Sequence, residues 1–233
     1  MKAIKYFIAI LAVTVIGQAH AASYGGYYSE GFKEVAESRN DQFYLGARFD
    51  MNFATFKNEY TFANGTEVPG ADSFLFATQL GLDVNVGWQF APKWRTELNY
   101  GYTGTFSDND AEYIFDMFAQ YLMLNGIYTI KEWTTTSVYA GIGAGAGMLR
   151  TSFTGPRFTS DAENAKTSIG FTGQFMLGVE EKIAGNLYLG LTYKLSYMTG
   201  HKQGIAMTDG DTFQSKLNGI LNNTLGLGLR YTF

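Results

Sequence analysis

Few residues in this sequence have types and spacings that carry chemistry. The chain has two histidines and no cysteine, so disulfides, thiolate metal sites and cysteine nucleophiles are excluded. A base and nucleophile would have to use His201, at the start of a long connection. Ser196 shares that strand end but falls on the inward register, and no spacing supplies a third group, so His201 reads as a solvated loop side chain. Asp108-x-Asp110-x-Glu112 gathers three acids on a short loop, and Thr208-Asp209-Gly210-Asp211 gathers two. Calcium needs six to eight oxygens, so both read as solvated turns. Gly141-x-Gly143-x-Gly145-x-Gly147 has strict two-residue spacing, without the step and following helix of a phosphate-binding loop. No catalytic residue, metal or cofactor is predicted.

The elements around these residues say more. Of 233 residues, 28 are glycine and 16% are aromatic, with only 16% charged. A composition this apolar excludes disorder. Lys+Arg 17 against Asp+Glu 21 excludes a basic nucleic-acid binder. Lys2 and Lys5 precede an apolar run, 6–17, and then Ala19-His20-Ala21, the layout of a secretory signal peptide over residues 1–21. As a helix that run would reach only ~18 Å, short of a ~30 Å hydrocarbon core. Residues 22–41, Tyr/Gly-rich and then polar, are expected as an N-terminal periplasmic segment, with a place tucked into the barrel mouth as the alternative.

From residue 42 the sequence alternates with period two, the signature of strands. Eight segments do so: 42–56, 74–90, 94–106, 112–130, 135–150, 167–181, 186–199 and 222–233. Around Phe115 and Met117 the phase blurs, which predicts a bulge or an extension beyond the membrane. The connections 91–93, 131–134 and 183–185 are short. Those at 57–73, 107–111, 151–166 and 200–221 form the other set, mostly longer and polar. Short turns at one end and longer loops at the other predict an all-β, eight-stranded antiparallel up-and-down transmembrane β-barrel over 42–233. Trp88, Trp94 and Trp133 all lie beside short turns, placing a periplasmic aromatic girdle there.

One face of the alternation is apolar and almost uncharged. The other is rich in Gly, Asn, Gln and Thr and carries Arg48, Arg95, Lys194 and Arg230 against Asp50, Asp83, Glu97 and Glu180. A soluble exterior would hold many more Lys and Glu. Four positives against four negatives suit a sealed interior, where an unpaired charge is costly. Eight strands leave a lumen only wide enough for side chains, so the interior is expected to be filled, with the glycine stripe making room for large inward groups.

The strand number, the exported N-terminus and the ending Leu225-x-Leu227-x-Leu229-x-Tyr231-x-Phe233 resemble small outer-membrane β-barrels of the OmpA/OmpX-like superfamily, including opacity-type and surface-antigen barrels. Gly228, Tyr231 and Phe233 are similar to that family's C-terminal assembly signal, with Gly226 where a polar residue is usual. The resemblance implies the bacterial outer membrane, with lipid, lipopolysaccharide and the outer-membrane assembly machinery as partners. It implies a non-enzymatic protein acting in envelope integrity or adhesion, meeting a host or cell-surface ligand through its loops. Tyr60, Phe62, Phe153, Phe158, Met207 and Phe213 would be the exposed loop contacts; folding back over the barrel mouth is their other placement. The alternatives are a narrow porin for small or hydrophobic solutes and a lipid A–modifying enzyme, a class that uses Ser with His.

Overall fold

The computed structural model describes residues 42–62, 73–109, 114–155, 165–206 and 212–233. The segments expected as signal peptide (1–21) and periplasmic tail (22–41), together with Phe158, Met207 and most of the two acidic loops, lie outside them.

The described chain forms β1 (Gln42–Phe62), β2 (Ser73–Ala91), β3 (Trp94–Asn109), β4 (Ile114–Glu132), β5 (Thr136–Thr154), β6 (Ala165–Ala184), β7 (Leu187–Thr199), β8 (Lys202–Ala206) and β9 (Thr212–Thr232). Neighbours pair antiparallel, and β1 pairs with β9 to close the ring. Nine segments make eight staves. Thr199 faces Gly219 on β9, and three residues on in each direction Lys202 faces Lys216. The register is unbroken, so β8 continues β7 after an interruption at Gly200 and His201. Closure satisfies the backbone amides inside the sheet, which lipid cannot do.

The staves run further than the expected strands. Residues 57–62, 107–109, 151–154 and much of 202–221, expected as connections, are paired strand. A stave of 21 residues spans about 70 Å at ~3.3 Å per residue, whereas the apolar band of such a barrel is about 25 Å tall. The extra length projects beyond the band at the long-loop end.

There the two faces exchange character. Nearer the short turns, Phe49, Leu82, Leu124, Ile142 and Leu227 point outward and are exposed, while Asn52, Asp83, Asn99 and Asn125 are buried inside. Toward the long loops, Phe56, Phe115, Phe153, Leu149, Ile205 and Leu217 form a buried cluster inside the ring, and Lys57, Arg150, Lys202 and Lys216 are exposed outside. This exchange explains the blurred phase at Phe115 and Met117. Pairing of β4 with β5 runs without a slip from Ile114 opposite Thr154 to Thr129 opposite Tyr139. The irregularity lies in the pairing of β3 with β4, between Thr103 and Phe106. The face does not change at Phe115; its chemistry does.

Inward rings are accommodated by glycines directly across the ladder. Tyr44 faces Gly87, Tyr121 faces Gly101 and Tyr139 faces Gly178. A Cβ at any of these glycines would overlap the tyrosine ring opposite it. Asn125 uses Gly143, from the sequence's glycine stripe, in the same way. Each pair lets a large polar side chain lie flat across the neighbouring strand in a lumen with no other room for it.

A Gly101→Val variant is therefore expected to lose the folded, heat-modifiable gel band. Gly126→Val should keep it, because Gly126 is exposed and nothing lies within 4 Å of an added Cβ. Equal folding of the two variants would contradict this account.

Candidate functional site

The lumen contains two layers of ionised side chains below the apolar cluster. In the first, Arg48 on β1 pairs with Asp50, two residues along its own strand, and with Asp83, its direct cross-strand partner on β2. Lys194 reaches in from β7 and donates to Asp50 at 2.5 Å, to Asp83 at 2.7 Å and to the Tyr121 hydroxyl at 3.3 Å. An ammonium has three N–H groups, and all three are used. Tyr121 donates in turn to Asp83 at 2.6 Å. Two cations thus meet two carboxylates, with every ionised partner nearly inaccessible to water.

The second layer lies nearer the short turns. Arg95 on β3 grips Glu180 on β6 with two hydrogen bonds of 2.9 Å, across the lumen. Arg230 on β9 adds a third at 2.9 Å. The guanidinium of Arg95 lies over Tyr139, and that of Arg230 over Tyr188, at 4.6 and 4.1 Å from the ring centres. Bidentate binding together with aromatic stacking is a role for arginine rather than lysine. Glu97 accepts from Tyr44 and from Asn125, each at 3.2 Å. The eight charges singled out in the sequence thus come together as two neutral layers. Sequence reasoning missed the polar groups that complete them, Tyr44, Tyr121, Tyr139 and Asn125, although all four sit on the inward register.

Two small cavities adjoin these layers. A cavity of about 30 Å³ lies between the first layer and the apolar cluster, lined by Met117, Met123, Met198, Gln174 and Ser196 among others. Another of about 40 Å³ adjoins Arg95, Arg230, Asn85 and Tyr188. One water requires about 10–15 Å³ of such space, so each has room for a few waters.

His201 is not the free loop side chain the sequence suggested. It stands at the break between β7 and β8, half-buried, with Thr151 of β5 at 3.0 Å from Nε2 and Ser168 of β6 at 3.0 Å from Nδ1. Thr151 donates its one proton to Gln203 at 2.6 Å. Its oxygen must therefore accept from Nε2–H, which leaves Nδ1 to accept the Ser168 proton. Ser196, the serine close in sequence, lines the cavity between the first charge layer and the apolar cluster instead. Among the described residues no carboxylate orients the imidazole; a threonine does. Above Thr172 opposite Met198, the described part of β6 has no ladder to β8. His201 and the Lys166 ammonium, 2.5 Å from the Lys202 carbonyl, bridge this seam.

Among the expected loop contacts, Phe153 is a correction. It is buried in the apolar cluster, 4.9 Å from Phe115 by ring centres, because the inward face has turned apolar at that height. Tyr60 packs edge-on against it at 6.5 Å. Phe62 and Phe213 face each other in the β1–β9 ladder. Phe158 and Met207 lie outside the described residues. At the other end Trp88, Trp94 and Trp133 are exposed beside the short turns, with Trp94 4.8 Å from Tyr128 and Phe43 stacked on Trp88. The Phe233 amide donates to the Phe43 carbonyl at 2.9 Å, and its ring meets Tyr231 edge-on. Gly228 lies inward against Arg48, and Gly226 is packed by Arg48 and Asp50, so a polar side chain at 226 would displace the first charge layer.

Two outcomes are expected. Lys194→Met leaves Asp50 and Asp83 with one cation and should cost about 3–5 kcal/mol of unfolding free energy in vesicles; a loss below 1 kcal/mol would show that the layer is not closed as described. Burial holds His201 below its ordinary pKa, with Lys166 acting in the same direction and the Gln203 hydrogen bond opposing. The folded state thus binds this proton less readily than the unfolded chain. Its stabilisation is complete above pH about 6.5 and declines as pH falls below that. Protection factors of the amides over 202–206, corrected for intrinsic exchange, should fall between pH 7 and 5, and His201→Asn should abolish that dependence; an unchanged dependence in the variant would assign it elsewhere.

The model for the outer membrane protein beta-barrel domain family matches residues 8–233. Among solved structures, the chain is similar to outer membrane protein OprG from Pseudomonas aeruginosa, at 15% identity and a TM-score of 0.51, covering 84% of this chain and 97% of that one. It is similar also to Neisserial surface protein A, at 14% identity and a TM-score of 0.50, covering 82% and 97%. No curated protein matches the sequence. A closed antiparallel ring with an apolar outer belt, matched over nearly its whole length by this family, is an outer-membrane barrel, and the chain belongs to the outer membrane protein beta-barrel domain family.

Proposed function

We propose that this is a non-enzymatic outer-membrane protein with a closed interior, acting in envelope integrity and surface adhesion through its extracellular end. The observation that carries the reading is the filling of the lumen. Two neutral charge layers and an apolar cluster lie in series, and the cavities beside them hold only a few waters. Ions would have to cross both a dry apolar section and a bonded ionic one. With the lumen filled, contact with other molecules falls to the outer wall and to the extracellular end of the barrel. The C-terminal Gly228, Tyr231 and Phe233 serve delivery by the assembly machinery.

A second reading, passage of small apolar solutes, is favoured by one feature. The seam between β6 and β8, crossed by side-chain bonds in place of a ladder, lies just above the cavity lined by three methionines, and methionine surfaces adapt to varied apolar shapes. A lipid-modifying enzyme is less favoured, since among the described residues the imidazole bonded to Ser168 is held by a threonine and by no carboxylate that would stabilise its charged form.

In planar bilayers the folded protein is expected to show no steady unit conductance, and vesicles containing it should not swell in sugar solutions. Stable openings of uniform size would contradict the closed-interior reading. Uptake of an apolar dye without ion conductance would instead support the second reading.

A further inference from the structure

The outer wall carries an arc of cations where its apolar belt ends. Arg150 on β5, Lys202 on β8, Lys216 on β9 and Lys57 on β1 are exposed on the outward register, and Lys166 on β6, on the inward register opposite Thr151, reaches the same rim through its bond to the Lys202 carbonyl. Arg150 is opposite Thr167, next to Lys166. Lys202 is opposite Lys216, and Lys216 is opposite Glu59. Just below them the wall is apolar and exposed, through Ile169 at 80% exposure, Phe171, Tyr197 and Leu221. The arc therefore stands at the level where hydrocarbon gives way to headgroups. The lysine stems can lie along the apolar wall while their ammonium groups reach upward.

Among the described side chains the local charge is not balanced. Glu59 serves two of these lysines at once, bonding Lys216 at 2.8 Å and Lys57 at 3.3 Å. Those bonds, with one from Asn218, hold its carboxyl down at about 2. Asp116, on β4 opposite Ser152, flanks the other end. Among the described side chains, five cations thus meet two acids, on a chain whose net charge is −4. Like charges directly opposite one another weaken a sheet, so the facing Lys202 and Lys216 impose a cost that an anion lying between them would reverse. The seam between β6 and β8 opens within this arc.

We propose that the arc is a binding site for the phosphate groups of a phosphorylated lipid of the outer leaflet, whose acyl chains lie on Ile169, Phe171, Tyr197 and Leu221. The arc faces sideways along the wall and continues the lipid-facing belt upward, which selects a membrane lipid over a soluble polyanion approaching the loops. Arg150 supplies a planar fork suited to phosphate oxygens, and the lysines supply point charges.

The test uses the folded full chain in detergent micelles, with bound lipid counted by native mass spectrometry. The probes are bisphosphorylated lipid A, the same lipid dephosphorylated, inorganic phosphate and heparin. The bisphosphorylated lipid should bind about tenfold or more tightly than its dephosphorylated form, and the double variant Lys202→Gln/Lys216→Gln should lose that preference. Lys202→Arg/Lys216→Arg should retain it, and so should Lys93→Gln/Lys131→Gln at the other end of the barrel; a heat-modifiable band for each variant establishes folding. Equal binding of both lipids would overturn the proposal. So would a folded double variant that keeps the preference, inorganic phosphate competing as well as lipid, or heparin binding the arc in place of lipid.

Discussion

A sheet that passes from lipid into water must change what each of its faces presents. Within lipid the outside has to be apolar, so the polar half of the alternation is forced inward. Above lipid the outside has to be polar, and the apolar half can return to the interior. This chain does both along the same staves. Phe49 and Phe53 face outward on β1, whereas Phe56 on that strand is buried inside the ring. The charge layers, the apolar cluster and the cationic arc follow from that exchange.

The inverted lower section creates the larger energetic problem, since ionised groups must be held where water is scarce. It is met by cancellation and by reach. Arg48 and Asp83 face each other across one rung, while Lys194 and Arg95 reach partners on distant staves. Removing any one would leave a buried opposite charge, so the layers tie the ring together at two heights. The glycines opposite Tyr44, Tyr121 and Tyr139 make this geometry possible. Without them the rings that bond Glu97, Asp83 and Thr192 would have no space, and the carboxylates would lose those donors.

Much of the lower half was legible in the sequence. There apolar and polar positions alternate cleanly, because lipid leaves only one face for the charges, and the inward register of Arg48, Asp83, Lys194 and their counterparts could be read from it. The upper half was obscure for a physical reason. When both faces change chemistry together, a strand that keeps its phase stops resembling its own lower part, so 57–62, 151–154 and 202–206 read as loop. Partner choice across the lumen was also hidden. Nothing local to Lys194 indicates that it will find Asp50 and Asp83, more than a hundred residues away in the chain. Likewise the partners of His201 are Ser168 and Thr151, brought together only by the packing of β5, β6 and β8, whereas Ser196, the serine near it in sequence, faces a different cavity.

The exchange of faces can be measured directly, because the chain has no cysteine. Single cysteines placed at Leu124, Ser152, Phe153 and Ile205 can be challenged with a charged, membrane-impermeant maleimide in whole cells. Reaction at 152 alone, with 124 shielded by lipid and 153 and 205 by the interior, is the predicted pattern. Reaction at 153 and 205 with protection at 152 would contradict it, and would mean that the polar lumen continues to the top of the barrel.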